Sequence, residues 1–195
     1  IARIPRGCWS ALDWLEDDGF GSGPLALHVT IERRGGRLTV DFAGSAAQVK
    51  GPVNTNLAVT TSAVFYVVAA IVGGENPANQ GLMTPLRIQA PQGSIVNCRF
   101  PAAVAGGNVE TSQRIVDVLL RALAAALPDE IPAASCGTMT NISLGGYDSL
   151  RARPFSYYET VGGGCGGGPH RRGASALQTH MTNTLNTPVE VLEAY

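Results

Sequence analysis

Two alternating runs of apolar and polar residues, separated by a pair of glycines, constrain the fold of this chain more than any other feature. Every second residue is apolar in Leu25–Ile31, and the same pattern returns in Leu38–Phe42. Side chains of a strand point alternately to two faces, so each run predicts a strand with one buried face. The linking residues, Gly35 and Gly36, are of the type that tight hairpin turns require. The sequence therefore predicts a β-hairpin.

Further short strands are predicted from apolar and β-branched segments that are bounded by turn residues. They are expected at Trp9–Leu15, at Leu86–Gln89, near Ile95, at Thr138–Leu144 and at Phe155–Val161. The last two are joined by Gly145-Gly146-Tyr147-Asp148, which is typical of a tight turn. The acidic segment Glu16–Gly19 is interpreted as a solvated loop rather than a metal site.

A long apolar segment, Ala58–Val72, predicts a buried element. It is too short to cross a bilayer, for which roughly 20 residues are needed. We interpret it as a helix, although Val64–Val68 would also suit a buried strand. The hydroxyls of Thr60-Thr61-Ser62 are expected to cap its start.

A second helix is predicted to begin after Gly106-Gly107, with Asn108 as its cap, and to end at Pro128. Its apolar stripe and its polar face follow helical spacing. The stripe holds Ile115, Leu119, Ala122, Leu123 and Ala126, and the polar face holds Arg114, Asp117 and Arg121. Free N–H groups at Gly106, Gly107 and Asn108 could bind an anion. The alternative is a helix start that packs on another loop.

Strands and helices together predict an α+β fold, with a β-hairpin, short mixed strands, two buried helices and long Gly-rich loops. Charged residues are only 15% of the chain and the net charge is -1. This composition offers no basic surface for nucleic acid or anionic lipid, so neither partner is expected. The four cysteines are scattered, without a Cys-x-x-Cys pair, which favours reduced thiols in a cytoplasmic protein.

Six glycines fall within the seven residues Gly162–Gly168, and a strip rich in Asn and Thr follows at residues 179–188. Glycine is kept where the chain turns at positive φ or approaches something closely. The pattern indicates a site built from loops, and the alternative is a tight crossing of two backbones. Cys165 within the run is either a nucleophile or a small apolar filler, and the second interpretation is favoured.

Five blocks of sequence, in this order, resemble the hydantoinase B / 5-oxoprolinase family. They are Val40-Asp41-Phe42-Ala43-Gly44-Ser45, Gln48-Val49-Lys50-Gly51-Pro52-Val53-Asn54, residues 101–114 (PAAVAGGNVETSQR), Tyr158-Glu159-Thr160-Val161-Gly162-Gly163-Gly164 and residues 179–188 (THMTNTLNTP). The resemblance implies that residues 1–195 are one segment of a larger B-type subunit, cut at both ends. It extends to the large subunits of ATP-dependent acetone and acetophenone carboxylases.

The resemblance also implies an ATP-dependent hydrolase of cyclic amides, in which a stable carbonyl is first activated by phosphorylation. ATP is then bound mainly by a partner A-type subunit, and a divalent metal by upstream residues, so no metal ligand is assigned here. Within this chain, it implies that His180 transfers a proton or contacts substrate. Gly162, Gly163, Gly164, Asn183 and Asn186 are then the candidate substrate contacts, and Glu159 is a weaker candidate base.

Three hypotheses follow for the function. The first is a segment of an amidohydrolase that opens hydantoin, 5-oxoproline or a related lactam. The second is a ketone carboxylase subunit of the same family, which would require bicarbonate as well as ATP. The third is a non-catalytic scaffold that docks the A-type subunit, in which His180 is only structural and Asn183 and Asn186 only brace a loop.

Overall fold

The computed structural model describes residues 1–73, 79–180 and 190. Its strands and helices confirm the predicted α+β class. They are β1 (Gly7–Leu15), β2 (Leu25–Arg34), β3 (Arg37–Asp41), α1 (Leu57–Val72), β4 (Leu86–Gln89), α2 (Ser112–Ala124), β5 (Asn141–Asp148) and β6 (Arg153–Thr160). β1 to β4 form one sheet in sequence order, while β5 and β6 form a separate pair.

The predicted hairpin forms the centre of the four-stranded sheet. β2 and β3 pair antiparallel, with Ile31 opposite Val40, and the chain reverses at Gly35, whose φ is 57°. β1 pairs antiparallel with the free edge of β2, and β4 pairs parallel with β3. The alternating apolar residues of β2 and β3 are buried on one face, as their spacing predicts.

The core lies where α2 covers β1 and β2 and where α1 in turn packs against α2. The sheet and both helices contribute side chains of which at most 1% remains exposed. They include Leu27, Val29, Ile31 and Val40 from the sheet, Ile115, Leu119 and Leu123 from α2, and Val64 and Val67 from α1. Within the described residues, no helix is long and apolar enough to cross a membrane.

The segment 57–72 is a helix, so the strand alternative is wrong, and its cap is not the predicted one. The side chain of Asn56 accepts a hydrogen bond from the Val59 N–H at 3.0 Å. Thr60 lies inside the first turn, fully buried, and its hydroxyl donates to the carbonyl oxygen of Val96 at 2.6 Å. The helix begins one turn earlier than the Thr-rich segment suggests, because Asn56 is the better cap.

α2 also begins differently from the prediction. A π-helical turn, Gly107–Thr111, precedes it, and Asn108 lies inside this turn without capping it by its side chain. Asp117, expected on the polar face, is 5% exposed. Asp117 is buried because Ser135 and His180 lie against its carboxylate, whereas Arg121 on the same face stays exposed.

The acidic turn is not a solvated loop at Asp18, whose exposed fraction is 2%. Its carboxylate accepts hydrogen bonds from the backbone N–H groups of Phe20, Ser22 and Gly51 at 2.9 to 3.0 Å. Gly51 allows this approach, since a Cβ there would lie 2.0 Å from the Asp18 carbonyl oxygen. Asp18 therefore ties the loop after β1 to the loop before α1.

Two further strand predictions need correction. Gly145–Asp148 do not form the turn but belong to β5, where Gly145 pairs with Ser156 and Gly146 pairs with Phe155. The chain reverses after Asp148 instead, and Ala152 takes a positive φ of 50°. Near Ile95 there is no strand, only isolated bridges at Ser94, although Ile95 itself is fully buried.

Candidate active site

A carboxylate and an imidazole meet at the surface of α2. His180 Nε2 lies 3.1 Å from Asp117 Oδ1, although 63 positions separate them in the chain. Both side chains are largely buried, with exposed fractions of 10% for His180 and 4% for Asp117. Ser135 completes the arrangement, because its hydroxyl donates to Asp117 Oδ2 at 2.7 Å and its N–H to Oδ1 at 3.3 Å.

The surroundings of Asp117 keep it ionised. Burial raises the pKa of this carboxyl, but the hydrogen bonds from His180 and Ser135, together with the charge of His180, outweigh burial and hold the pKa below its usual value. An ionised Asp117 accepts the proton on His180 Nε2. The other ring nitrogen, Nδ1, is then the one that can accept a proton in the neutral tautomer.

His180 Nδ1 faces Tyr66 on α1. The Tyr66 hydroxyl lies 3.4 Å from Nδ1, and the two rings meet edge to face with centroids 5.7 Å apart. Partial burial raises the pKa of Tyr66, so its phenol stays protonated at neutral pH. His180 has a φ of 59°, and it links α1 to α2 through its two nitrogens.

Two cavities meet at His180. The first, of about 260 Å³, lies between α2 and the segment 132–135 and is lined also by Cys165 and Gly166 of the glycine run. The second, of about 360 Å³, lies between α1 and α2, which we call the interhelical cavity. The described residues that line it are Asn56, Ala58, Val59, Ser62, Ala63, Tyr66, Asn108, Ser112, Gln113, Val116 and His180.

The glycine run lies close to other backbone segments and also borders open space. A Cβ at Gly166 would lie 2.0 Å from the Ala133 carbonyl oxygen, and one at Gly164, where φ is 109°, would lie 2.6 Å from that of Ala174. Gly163 and Gly164 line a shallow depression that His180 does not reach, whereas Gly166 shares the first cavity with His180. The run thus makes a tight crossing of backbones beside the candidate site.

The N–H groups of the run are partly committed within the chain. Gly164 donates to the carbonyl oxygen of Leu177 at 3.0 Å, and Cys165 donates to that of Ala174 at 2.9 Å. Thr179, next to His180, donates its hydroxyl to the Gly164 carbonyl oxygen at 3.0 Å. These bonds hold the segment that presents His180 against the glycine run.

The structure brings one part of the predicted anion site to His180. Asn108 and His180 both line the interhelical cavity. The Gly107 N–H donates to the carbonyl oxygens of Pro52 and Val104, and a Cβ at Gly107 would lie 1.9 Å from the Asn54 carbonyl oxygen. This geometry supports the alternative of a helix start packed on a loop, and anion binding at Gly106, Gly107 and Asn108 stays a prediction.

The remaining candidates lie apart from the pair or outside the described residues. Glu159 accepts a hydrogen bond from the Tyr157 hydroxyl on β6, and neither residue lines the two cavities at His180. Cys165 lines the first cavity, and its sulfur accepts the Ala174 N–H at 3.3 Å. Asn183 and Asn186 lie outside the described residues, so their roles stay predictions.

Neither a metal site nor a lysine is found at His180 among the described residues. Among them, no group of three His, Cys, Asp or Glu side chains could hold a metal ion. Lys50, the only lysine of the chain, has its ammonium 5.2 Å from the centre of the Phe20 ring, and it lines neither cavity at His180. We therefore derive no chemical step through a metal or ATP bound to these residues.

We did not identify Asp117, Ser135 or Tyr66 as site residues from the sequence. For Asp117, the surrounding sequence could have indicated such a role. It stands in the run Ile115-Val116-Asp117-Val118-Leu119, in which every other member is buried. A helix that is apolar around Asp117 predicts a buried carboxylate, and such a group needs hydrogen-bond partners. The identity of those partners is a tertiary contact that no local pattern encodes.

The chain is similar in sequence to proteins of one family. The model of the family described as Hydantoinase B/oxoprolinase matches residues 1–195. The chain is 42% identical over 179 residues to 5-oxoprolinase 1 of Arabidopsis thaliana. The alignment covers 91% of this chain and 13% of that protein. This chain spans 31% of a relative from Methanocaldococcus jannaschii and 14% of one from Schizosaccharomyces pombe, so it corresponds to a small part of these proteins.

Two solved structures share the fold. The ATP-dependent caprolactamase of Pseudomonas jessenii superposes with a TM-score of 0.78 at 25% identity, over 98% of this chain and 34% of that one. Acetone carboxylase in its nucleotide-free structure superposes with a TM-score of 0.83 at 15% identity, over 99% of this chain and 28% of that one. The second likeness concerns the fold alone.

Proposed function

Because the chain belongs to the hydantoinase B/oxoprolinase family, we propose that it forms part of an ATP-dependent amidohydrolase that opens cyclic amides. The substrates are hydantoins, 5-oxoproline or related lactams. The names of a 5-oxoprolinase relative and of a caprolactamase with the same fold support this reaction class. The observation that carries the proposal is the Asp117–His180 pair, buried at the junction of two cavities.

The pair is suited to proton transfer during ring opening. An amide carbonyl is a poor electrophile, and phosphorylation of its oxygen by ATP on a partner subunit supplies the activation. Water that attacks the activated carbon must lose a proton. His180 Nδ1 accepts it, while Asp117 holds Nε2–H and stabilises the imidazolium that forms. The ring C–N bond then breaks, the imidazolium returns the proton to the leaving nitrogen, and a second water hydrolyses the remaining acyl phosphate to carboxylate and phosphate. Burial of both side chains keeps bulk water from the reacting atoms.

Other predicted contacts take supporting roles in this proposal. Gly162, Gly163 and Gly164 bind substrate or intermediate, and Gly163 and Gly164 border the shallow depression. Asn183 and Asn186 add amide donors. Gly106, Gly107 and Asn108 form the candidate anion site. Of these three residues, only Asn108 lines a cavity with His180.

The proposal assigns the remaining parts of the enzyme to other chains or segments. An A-type subunit holds ATP. Other segments of the B-type subunit hold a divalent metal, since no group of three His, Cys, Asp or Glu among the described residues could hold one. We place the complex in the cytoplasm. The four cysteines are free thiols, which suits a reducing compartment.

Two alternatives remain within this framework. In a ketone carboxylase of the same family, the Asp117–His180 pair would serve a reaction that consumes bicarbonate, and the shared fold with acetone carboxylase favours considering it. In a scaffold, the pair would only join α2 to the glycine run. Dependence of product formation on bicarbonate identifies the carboxylase, and indifference to His180 identifies the scaffold.

The test is the rate of ring opening by the assembled enzyme with His180→Ala, with ATP and either hydantoin or 5-oxoproline. Loss of a positioned general base lowers turnover by about 10²- to 10⁴-fold. His170→Ala is the matched control, because His170 is exposed and lies outside both cavities. Unchanged turnover in an intact His180→Ala assembly would refute a catalytic role and favour the scaffold.

A further inference from the structure

The lining of the interhelical cavity carries an inference about which cyclic amide is bound. Its described lining residues include no Asp, Glu, Lys or Arg. The first cavity differs, because Asp13, Asp117 and Arg121 line it. The two cavities that meet at His180 therefore differ in their lining. Carboxylates and a guanidinium line the first cavity, and neither group is found among the described lining residues of the interhelical cavity.

We propose that the interhelical cavity binds the ring of an uncharged cyclic amide, such as hydantoin or a simple lactam, in preference to a ring that carries a carboxylate. The inference rests on the proposed function, and it adds the position of the ring and its charge class. A carboxylate on the ring, moved from water into this cavity, would lose hydration without meeting a Lys or Arg side chain among the described lining residues. A phosphate on the activated carbonyl oxygen can instead face the first cavity, which Arg121 lines.

The polar groups of the cavity match the amide of such a ring. Asn56, Ser62, Asn108, Ser112 and Gln113 contribute amides and hydroxyls, while Ala58, Val59, Ala63 and Val116 contribute apolar surface. A cavity of about 360 Å³ lies at the small end of the range for small-molecule sites. Polar groups at fixed positions in a cavity wall orient a small neutral ligand, while the apolar side chains contact the rest of its surface.

The reactive end of the cavity is at Tyr66 and His180. His180 Nδ1 and the Tyr66 hydroxyl are 3.4 Å apart, and both residues line the space. Asp117 occupies the opposite side of the imidazole, so the nitrogen left for chemistry faces Tyr66. A ring bound between α1 and α2 thus meets a base and a phenol donor at one end of the cavity.

Ser62 offers a way to block this cavity without changing the lining of the first cavity. Ala58, Ser62 and Tyr66 follow each other at four-residue spacing along α1 and all line the cavity. Ala70 continues the same row one turn further and is also exposed, but it does not line the cavity. Ser62→Phe and Ala70→Phe therefore add the same side chain at exposed positions of one helix, inside and outside the proposed site.

The experiment measures kcat/KM of the assembled enzyme for hydantoin and for 5-oxoproline, with ATP. We expect Ser62→Phe to lower kcat/KM for hydantoin by at least about tenfold and Ala70→Phe to change it less than about twofold. The wild-type enzyme should prefer hydantoin by at least about tenfold. Ser62→Lys should shift the ratio towards 5-oxoproline, because the ammonium supplies the missing cation.

The outcomes separate this inference from the function on which it rests. Ring opening that depends on His180 but ignores both Ser62 variants overturns the assignment of the cavity and leaves the reaction class intact. A wild-type kcat/KM for 5-oxoproline that equals or exceeds that for hydantoin overturns the charge class. Failure to open any cyclic amide refutes the proposed function itself. Ser62→Leu serves as the blocking variant if Ser62→Phe does not fold.

Discussion

Asp18 makes the stability of the chain depend on pH in the acid range. Burial raises the pKa of its carboxyl, but three backbone N–H donors outweigh burial and lower the pKa to about 2. Because this pKa lies below the unfolded-state value of about 3.9, the stabilisation by the ionised Asp18 carboxylate is complete when the pH is above that unfolded-state pKa. It is lost as the pH falls towards 2. Asp117, whose pKa is also lowered, adds to the same trend.

The measurement is urea denaturation between pH 2 and pH 6 for the wild-type chain and Asp18→Asn. We expect the variant to be less stable than the wild type at pH 6 and to lose less stability on acidification. Asp129→Asn, at an exposed position, is the control and should follow the wild-type curve. An Asp18→Asn chain with the wild-type pH dependence would contradict the assignment.

Asn54 is a buried hydrogen-bonding centre that joins the loop before α1 to the loop before α2. Its side chain accepts the Val49 N–H at 2.8 Å and donates to the carbonyl oxygens of Val49, Gly51 and Ala103 at 2.9 to 3.0 Å. Asn54→Ala leaves these buried groups without partners, so we expect a loss of about 3 kcal/mol in the free energy of unfolding.

Asn56→Ala is the comparison for Asn54→Ala, measured by the same denaturation. It removes one exposed helix cap and should cost about 1 kcal/mol. Equal costs for the two variants would show that the buried network contributes no more than a single cap, contrary to our account.

The crossing of the glycine run with the segment at Ala133 requires a glycine at one position and not at its neighbour. A Cβ at Gly166 would lie 2.0 Å from the Ala133 carbonyl oxygen, whereas one at Gly167 would have its nearest contact at 3.4 Å. Gly166→Ala should therefore lower the free energy of unfolding by about 1 to 3 kcal/mol, and Gly167→Ala by much less. Thermal unfolding of both variants tests this, and equal melting temperatures would contradict it.

The β5–β6 pair is the least supported element among the described residues. Ile142, Leu144 and Phe155 are each about half exposed, and a two-stranded hairpin without a packed face is marginally stable. We expect its amide hydrogens to exchange much faster in the isolated chain than those of β2, whose alternate side chains are buried. Similar protection in both elements would contradict this interpretation.

Local patterns predicted the elements of this fold, and tertiary contacts decided what the patterns left out. The β2–β3 hairpin follows from alternation and two glycines, both of which act within 18 residues. The predicted cap of α1 was wrong, because Asn56 caps the helix in place of the nearby Thr-rich segment. The predicted turn was also wrong, because Gly145–Asp148 pair with β6 and the chain reverses after them. His180 was named as a candidate, but its contacts with Asp117 and Tyr66 join positions 63 and 114 residues apart.

The proposed ring opening requires Asp117 and His180 to act as one unit in an assembled enzyme. Its most direct test is kcat for ring opening by Asp117→Asn, with ATP hydrolysis followed in the same sample and folding checked by circular dichroism. Asparagine keeps the shape of the side chain but not the charge that orients and stabilises the imidazolium, so we expect kcat to fall by about 10²-fold or more. Asp129→Asn should leave it unchanged. Wild-type turnover by a folded Asp117→Asn enzyme would contradict the account.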